Sequence, residues 1–194
     1  MALVLLMMII AYVAGSVNFA ILLFRLIKKG DPRDLHSGNA GTTNVYRQAG
    51  KFWAAVVLLL DVGRAGGVAV LSSLLLPPEF AAWAALALVL GNRFPCFHGF
   101  RGGKGVANFL GFSAFIAPLS AAITCGAWVL VYVIVRRPFI ASFFMIASCA
   151  VGLMAAAGYH PLAIAGAAAC FLFIVYNHKK NIIEMRGTKE ERAG

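Results

Sequence analysis

Residues 92 to 105 read Asn-Arg-Phe-Pro-Cys-Phe-His-Gly-Phe-Arg-Gly-Gly-Lys-Gly, which sets Arg93, His98, Arg101 and Lys104 among Gly99, Gly102, Gly103 and Gly105. Glycines let backbone N–H groups turn toward one point, and neighbouring cations add charge there, which is what a bound phosphate requires. The pattern is not a Walker A loop. Three residues separate Gly99 from Gly103, and Gly105 follows Lys104 where a Ser or Thr would stand, so no nucleotide machinery is implied. The competing reading is a flexible basic loop held to anionic lipid headgroups.

Two further patches are polar. Residues 31 to 47 are rich in Gly, Asn, Thr and Ser. Ser37, Asn39, Thr43 and Asn44 would hold a ligand by neutral hydrogen bonds and Arg47 by charge; the same stretch would also serve as a tight turn and helix cap. Near the other end, His178, Asn181 and Glu184 share one face if residues 177 to 188 form a helix, while Lys179 and Lys180 point elsewhere as anchors. The plainer reading there is a snorkelling basic tail. Asp61 and Arg64 lie three apart inside an apolar run, as a structural ion pair near Gly63, Gly66 and Gly67 or as support for a site. Cys96, Cys125, Cys149 and Cys170 are scattered without ligand spacing, so neither a metal centre nor a disulfide framework is expected.

The elements that must position these patches are mostly oil. The chain is 61% hydrophobic and 12% charged, with mean hydropathy +0.85, against about 25% charged residues in a soluble domain. Its apolar runs do not alternate with polar residues, which argues against a barrel and predicts an all-α, polytopic integral membrane protein, one domain over residues 1–194. The runs cover 2–27, 52–76, 80–97, 106–135, 138–157 and 162–177. Val13-Ala14-Gly15-Ser16 mimics a signal cleavage site, but apolar sequence resumes beyond it, so the first run is read as a span.

The net charge of +10 fits both topology and anionic ligands. Lys and Arg gather in 28–51, 92–105, 136–137 and 178–194, whereas the turns at 77–79 and 158–161 hold none, so the charged loops are expected on the cytoplasmic side. Parity then requires 106–135 to enter and return, turning at Pro118 between Ser113 and Ser120. Two helices of about 13 and 16 residues would measure ~20 and ~24 Å, short of a ~30 Å core. The expected count is about seven transmembrane helices, N-terminus outside and C-terminus cytoplasmic, with all three patches on one side. A six-span version, with one long helix over 106–135, would leave Arg136-Arg137 outside.

In order along the chain, Gly15-Ser16 with Asn18-Phe19, Ser37-Gly38-Asn39 with Thr43-Asn44 and Arg47, Phe94-Pro95 with Gly99 to Gly105, and His178 with Asn181 resemble the acyl-phosphate-dependent glycerol-3-phosphate acyltransferase family (PlsY) of bacterial membranes. The resemblance covers nearly the whole chain. It implies transfer of an acyl chain from acyl phosphate to the 1-hydroxyl of sn-glycerol 3-phosphate, giving lysophosphatidic acid and phosphate in phospholipid biosynthesis. It also implies no cofactor, no direct use of acyl-CoA or acyl carrier protein, no obligatory protein partner, and an inner-membrane active site facing the cytoplasm. The catalytic set it implies is Ser37, Arg47, Lys104, His178 and Asn181. Substrate binding falls to Asn39, Thr43, Asn44, Arg101, Gly102, Gly103, Gly105, Ser142 and Glu184. Two departures stand out: Pro138-Phe139-Ile140-Ala141-Ser142 is more apolar than the family's segment, leaving only Ser142, and Arg64 replaces an expected Lys.

The chemistry is consistent with these residues. Two phosphorylated substrates need two anionic sites, for which Arg47, Arg101 and Lys104 are the cations, and the acyl tail needs a groove open to lipid. The donor is a mixed anhydride with a good leaving group, so a strong base is not required. No His is followed at the fifth position by Asp, and no Ser-His-Asp order suggests an acyl-enzyme. Direct attack within a ternary complex follows, with the proton passing to a phosphate oxygen or to His178. A reading from another class is a transporter or channel for phosphate or organic phosphates, which Asp61, Arg64 and the short paired helices would suit. Against it, the polar loops collect on one side. An enzyme of nucleotide-activated lipids lacks the Asp-rich pair that would hold Mg²⁺.

Overall fold

The computed structural model describes residues 1–190, of which 186–190 by backbone alone; residues 191–194, the end of the basic tail, lie outside the described residues. Among the described residues there are nine α-helices and no strand: α1 (Ala2–Ser16), α2 (Phe19–Leu26), α3 (Thr42–Leu75), α4 (Ala81–Arg93), α5 (Val106–Ile116), α6 (Pro118–Val135), α7 (Pro138–Ala156), α8 (Pro161–Asn177) and α9 (Lys179–Glu190).

Pro118, Pro138 and Pro161 each open a helix, where the missing N–H is one that no helical partner would have used. The run 106–135 is therefore two helices that part at Ala117-Pro118, as the parity argument expects. The first run has the length and apolarity of one span, Ala2–Leu26, as expected, but that span is broken at Val17-Asn18, where Asn18 Oδ1 caps α2 by accepting the Ile21 N–H at 3.1 Å. Two expectations are corrected. The polar loop does not last to Lys51, since helix begins at Thr42 and only kinks at Gly50, whose φ of 84° suits a residue without Cβ. Residues 178, 181 and 184 do not share one helix: α8 stops at Asn177, α9 leaves it at 52°, and His178 sits in the elbow.

Five segments are long and apolar enough to cross a membrane: Ala2–Leu26, Thr42–Leu75, Pro78–His98, Pro118–Val135 and Pro138–Ala156. The bent pair formed by α8 and α9 makes a sixth if it counts as one span. The seventh helix of the expected count is α5, whose 11 residues measure ~17 Å and do not reach across a bilayer alone.

Side-chain size decides which helix is central. α4 is built largely of Ala, and 56% of its span is buried, whereas α6 carries large branched residues and only 11% of its span is buried. In lipid there is no hydrophobic gain from hiding Leu, so close packing of small residues drives helix association. α4 accordingly packs against α1 and α8, while α3 packs against α5 and α6 against α7. The α1–α4 crossing is tightest. A Cβ on Gly15 would overlap the Leu88 carbonyl, and one on Gly91 would overlap the Tyr12 carbonyl. These obstacles are backbone, which no rotamer change can move.

Gly91→Ala is expected to destabilise the bundle by about 1–3 kcal/mol, the usual range for overpacking, read as a lower denaturation midpoint in detergent. Gly63→Ala, whose new Cβ would meet open space, is the control that should move little. Equal midpoints for both variants would refute the close-crossing argument.

Candidate active site

The two polar loops are laced together before any ligand arrives. Arg33 Nε donates to Asp31 Oδ1 at 2.8 Å and Nη2 to Oδ2 at 2.5 Å, while Nη1 donates to the carbonyls of His98 and Arg101 at 2.7 Å each. The Arg33 hydrogen bond holds the Asp31 carboxyl below the usual carboxylate range. The Asn44 amide donates to the carbonyls of Pro32 and Asn39 at 2.6 and 2.9 Å, fixing the loop onto the start of α3. Ala40 N–H donates to the Gly102 carbonyl at 3.3 Å, and its own carbonyl accepts from the Asn18 amide at 3.1 Å.

The glycines of the second loop serve a different end from the one their sequence suggests. The N–H groups of Gly102 and Gly103 do not point free toward a ligand; they donate to the Arg93 and Asn92 carbonyls at 3.1 and 3.0 Å. Glycine is needed there for close approach: a Cβ on Gly102 would overlap Asn92 O, and one on Gly103 would lie 2.8 Å from Ala40 O. The amides available to an anion come from helix starts. The first N–H groups of any helix lack internal partners. Thr42 and Thr43 at the start of α3, and Val106, Ala107 and Asn108 at the start of α5, all line one cavity.

That cavity measures about 460 Å³. Its polar wall carries Ser37, Asn39, Arg47, Lys104, His178 and Asn181, and its apolar wall carries Leu58, Leu110, Trp128, Val129 and Met145. Ser142 stands where they meet: its Oγ donates to the Pro138 carbonyl at 2.9 Å and accepts from Trp128 Nε1 at 3.3 Å. Lys104 donates to Asn181 Oδ1, and its carbonyl accepts from the Asn177 amide at 3.3 Å. Burial pulls the Lys104 ammonium down to about 8; the Glu184 carboxylate opposes this, and Arg47, Arg93 and Lys180 add to it. His178 is buried, edge-on to Phe143 at 5.3 Å, with Nδ1 at 2.8 Å from the Ile174 carbonyl. A carbonyl only accepts, so Nδ1 carries the hydrogen and Nε2 keeps its lone pair. Asp61 also lines the cavity and is paired with Arg64 at 2.9 Å.

Eleven of the candidate residues therefore meet at one cavity: Ser37, Asn39, Thr43, Asn44, Arg47, Gly103, Lys104, Gly105, Ser142, His178 and Asn181. Three do not line it. Arg101 is exposed and offers its carbonyl to Arg33, Gly102 is packed under Asn92, and Glu184 lines a smaller neighbouring cavity. Residues that the patterns missed include Arg33, Thr42, Asn92, Asn108 and Trp128. Thr42 Oγ1 is buried without a partner among the described residues and lines the cavity. Asp31-x-Arg33 was the available signal for the staple, hidden because short charged pairs abound in loops. A cavity with cations and amides at one end and oil at the other fits a phosphorylated amphiphile.

Removing the staple should loosen both loops and spare the helices. Arg33→Ala is expected to raise amide hydrogen exchange across residues 31–41 and 96–103 by at least about tenfold, since hydrogen bonds to charged groups contribute about 1.5–3 kcal/mol each. Unchanged exchange in either loop would count against the staple.

Known proteins share this architecture throughout. The sequence profile of the family described as glycerol-3-phosphate acyltransferase matches residues 5–187. A glycerol-3-phosphate acyltransferase of Jannaschia sp. (strain CCS1) is 36% identical over 187 residues, spanning 96% of this chain and 91% of the relative. One from Anaeromyxobacter dehalogenans (strain 2CP-C) is 37% identical over 188 residues, with 94% and 93% covered. A crystal structure of PlsY, an integral membrane glycerol 3-phosphate acyltransferase, in its glycerol 3-phosphate form superposes with a TM-score of 0.86 at 32% identity, covering 95% of this chain and 92% of that one. Its lysophosphatidic acid form gives 0.83 at 31% identity, with the same coverage. With fold, length and sequence agreeing from one end to the other, the chain belongs to the glycerol-3-phosphate acyltransferase family of integral membrane enzymes.

Proposed function

We propose that this chain transfers an acyl group from acyl phosphate to the 1-hydroxyl of sn-glycerol 3-phosphate, releasing lysophosphatidic acid and inorganic phosphate. The observation that carries the reading is the two-ended cavity: Lys104, Arg47 and the starts of α3 and α5 at one end, and Leu58, Leu110, Val129 and Met145 at the other. The acyl chain occupies the apolar end. Its phosphate lies against Lys104, Ser37 and the helix-start amides, where positive partial charge favours a dianion.

The hydroxyl oxygen of glycerol 3-phosphate attacks the acyl carbonyl carbon, the bond from that carbon to the phosphate oxygen breaks, and phosphate leaves. The hydroxyl proton passes to His178 Nε2, whose lone pair is kept available by the Nδ1 bond to Ile174, and from there to the departing phosphate oxygen, so that phosphate leaves as the hydrogen phosphate dianion and His178 is neutral again. Arg47 and Asn181 orient the acceptor, and holding both reactants in one site supplies much of the rate. Ser142 and Trp128 mark the boundary between head and tail. The enzyme works as one membrane-embedded unit of the inner membrane, N-terminus outside. The cavity mouth and C-terminus face the cytoplasm, where Lys and Arg of the loops collect.

Purified protein given palmitoyl phosphate is expected to release phosphate only when glycerol 3-phosphate is present, and palmitoyl-CoA should be inert as donor. No turnover with either donor, from folded protein, would sink this reading and favour a transport assay in liposomes. In the same assay His178→Ala should lower kcat by about 10²–10⁴-fold and abolish the acidic limb of the pH profile. A loss that keeps the limb would make His178 a binding group and a phosphate oxygen the proton acceptor.

Lys104 adds a second pH dependence. Its ammonium is charged below about 8 and loses its proton above, so the KM for acyl phosphate should rise as pH passes from 7.5 through 9.5. Lys104→Arg, which keeps its charge throughout this range, should show a flat KM over the same interval. A flat wild-type KM would remove Lys104 from the donor's phosphate.

A further inference from the structure

One basic cluster is left over by this mechanism. A second cavity of about 260 Å³ adjoins the first and shares Arg47, Pro138, Phe139 and Asn181 with it; Arg136 and Arg137 from the α6–α7 turn and Glu184 from α9 add to its wall. Arg136 closes α6 in left-handed backbone, φ 55°, its N–H donating to the Tyr132 carbonyl at 2.8 Å, and Arg137 is the N-cap residue of α7. Glycine takes such a position at lower cost, so the turn by itself gives no reason for an arginine. Three guanidinium groups face one carboxylate around this recess, an excess of two positive charges. A phosphate monoester carries about −1.5 to −2 at pH 7, whereas a phosphodiester headgroup carries a single charge. Planar guanidinium groups also match phosphate oxygens two at a time.

We propose that Arg136 and Arg137, with Arg47 on the shared wall, form an outer phosphate-monoester site that receives glycerol 3-phosphate before it enters the reaction cavity. The proposal rests on the acyltransferase reading above. The lysophosphatidic acid headgroup is the same ester, because the reaction leaves that phosphate untouched, so product competes for the site from the lipid side. Clefts lined by one sign of charge raise the capture rate of an opposite ligand and make it sensitive to salt.

The test uses full-length protein in nanodiscs of phosphatidylcholine, and in parallel of phosphatidylglycerol, comparing wild type with the double variant R136Q/R137Q. The KM for glycerol 3-phosphate is expected to rise about tenfold, with kcat and the KM for palmitoyl phosphate unchanged, and the salt dependence of kcat/KM should flatten. The same shift is expected in both lipids, and R136K/R137K should recover most of it. Calorimetric binding of glycerol 3-phosphate without donor should weaken in step. An unchanged KM overturns the proposal. A shift confined to phosphatidylglycerol assigns the pair to the lipid surface, and weakened lysophosphatidic acid inhibition with unchanged glycerol 3-phosphate binding assigns it to product; either also overturns it. A kcat loss with both KM values raised indicates a structural role and does the same. Wild-type turnover tests the parent reading separately, since an inactive wild type removes the reaction itself.

Discussion

One guanidinium, buried among three helices, ties the polar end of this bundle together. Arg64 of α3 pairs with Asp61 at 2.9 Å, donates to Asn108 Oδ1 on α5 and to the Val17 carbonyl at the α1–α2 break, and lies 5.0 Å above the Phe19 ring. A lone arginine in a span costs about 2.5–3.5 kcal/mol even on the mildest scale. A broken helix in a membrane likewise leaves carbonyls with no water to satisfy them. Here each defect relieves the other: the break supplies an acceptor for the charge, and the charge supplies a donor for the break. The broken first span and the charged second span are therefore one feature.

What the break makes possible is a cavity between the helices. Past Asn18 the chain turns into α2 and returns through the loop that Arg33 and Asn44 hold against residues 98–102. The short α5 belongs to the same design. Its 11 residues, opening at Gly105 with φ 90°, bring a helix start and its unpaired amides to the cavity. Irregular backbone among membrane helices is tolerated where it lines a cavity, and the three polar patches, far apart in sequence, supply that lining.

How much of this the sequence discloses depends on the range of the interaction. The Asp61–Arg64 pair is visible because three residues apart is one helical face, and the turn at Pro118 because proline can open a helix but not continue one. Charge counting brings Ser37, Lys104 and Asn181 to one side without any contact being known. The elbow at His178 is not visible, since nothing in Asn177-His178-Lys179 forbids a helix, and the contact made there, Asn177 to the Lys104 carbonyl, joins residues far apart in the sequence. Nor is the use of Gly102 and Gly103. Glycine signals either a free amide or a close approach, and only the positions of Asn92 and Ala40 decide for the second. That Arg101 stands outside the cavity is hidden for a related reason: a cation beside a glycine loop looks like a ligand whichever way the loop turns it.

The sorting of acidic residues separates scaffold from site. The chain has only seven Asp and Glu, and two of them are committed to arginines that hold structure: Asp31 to Arg33 and Asp61 to Arg64. Lys104 is held instead by neutral groups, an amide oxygen from Asn181 and an amide hydrogen from Asn177 on its carbonyl. An aspartate at 181 would grip the ammonium harder and cancel the charge that a phosphate needs. The neutral partner positions Lys104 without cancelling its charge, and burial, opposed by the Glu184 carboxylate, pulls the ammonium down to about 8. Binding a dianion then adds to the stabilisation that Glu184 supplies against that burial, so part of the substrate's affinity is the relief of a charge the fold balances only in part.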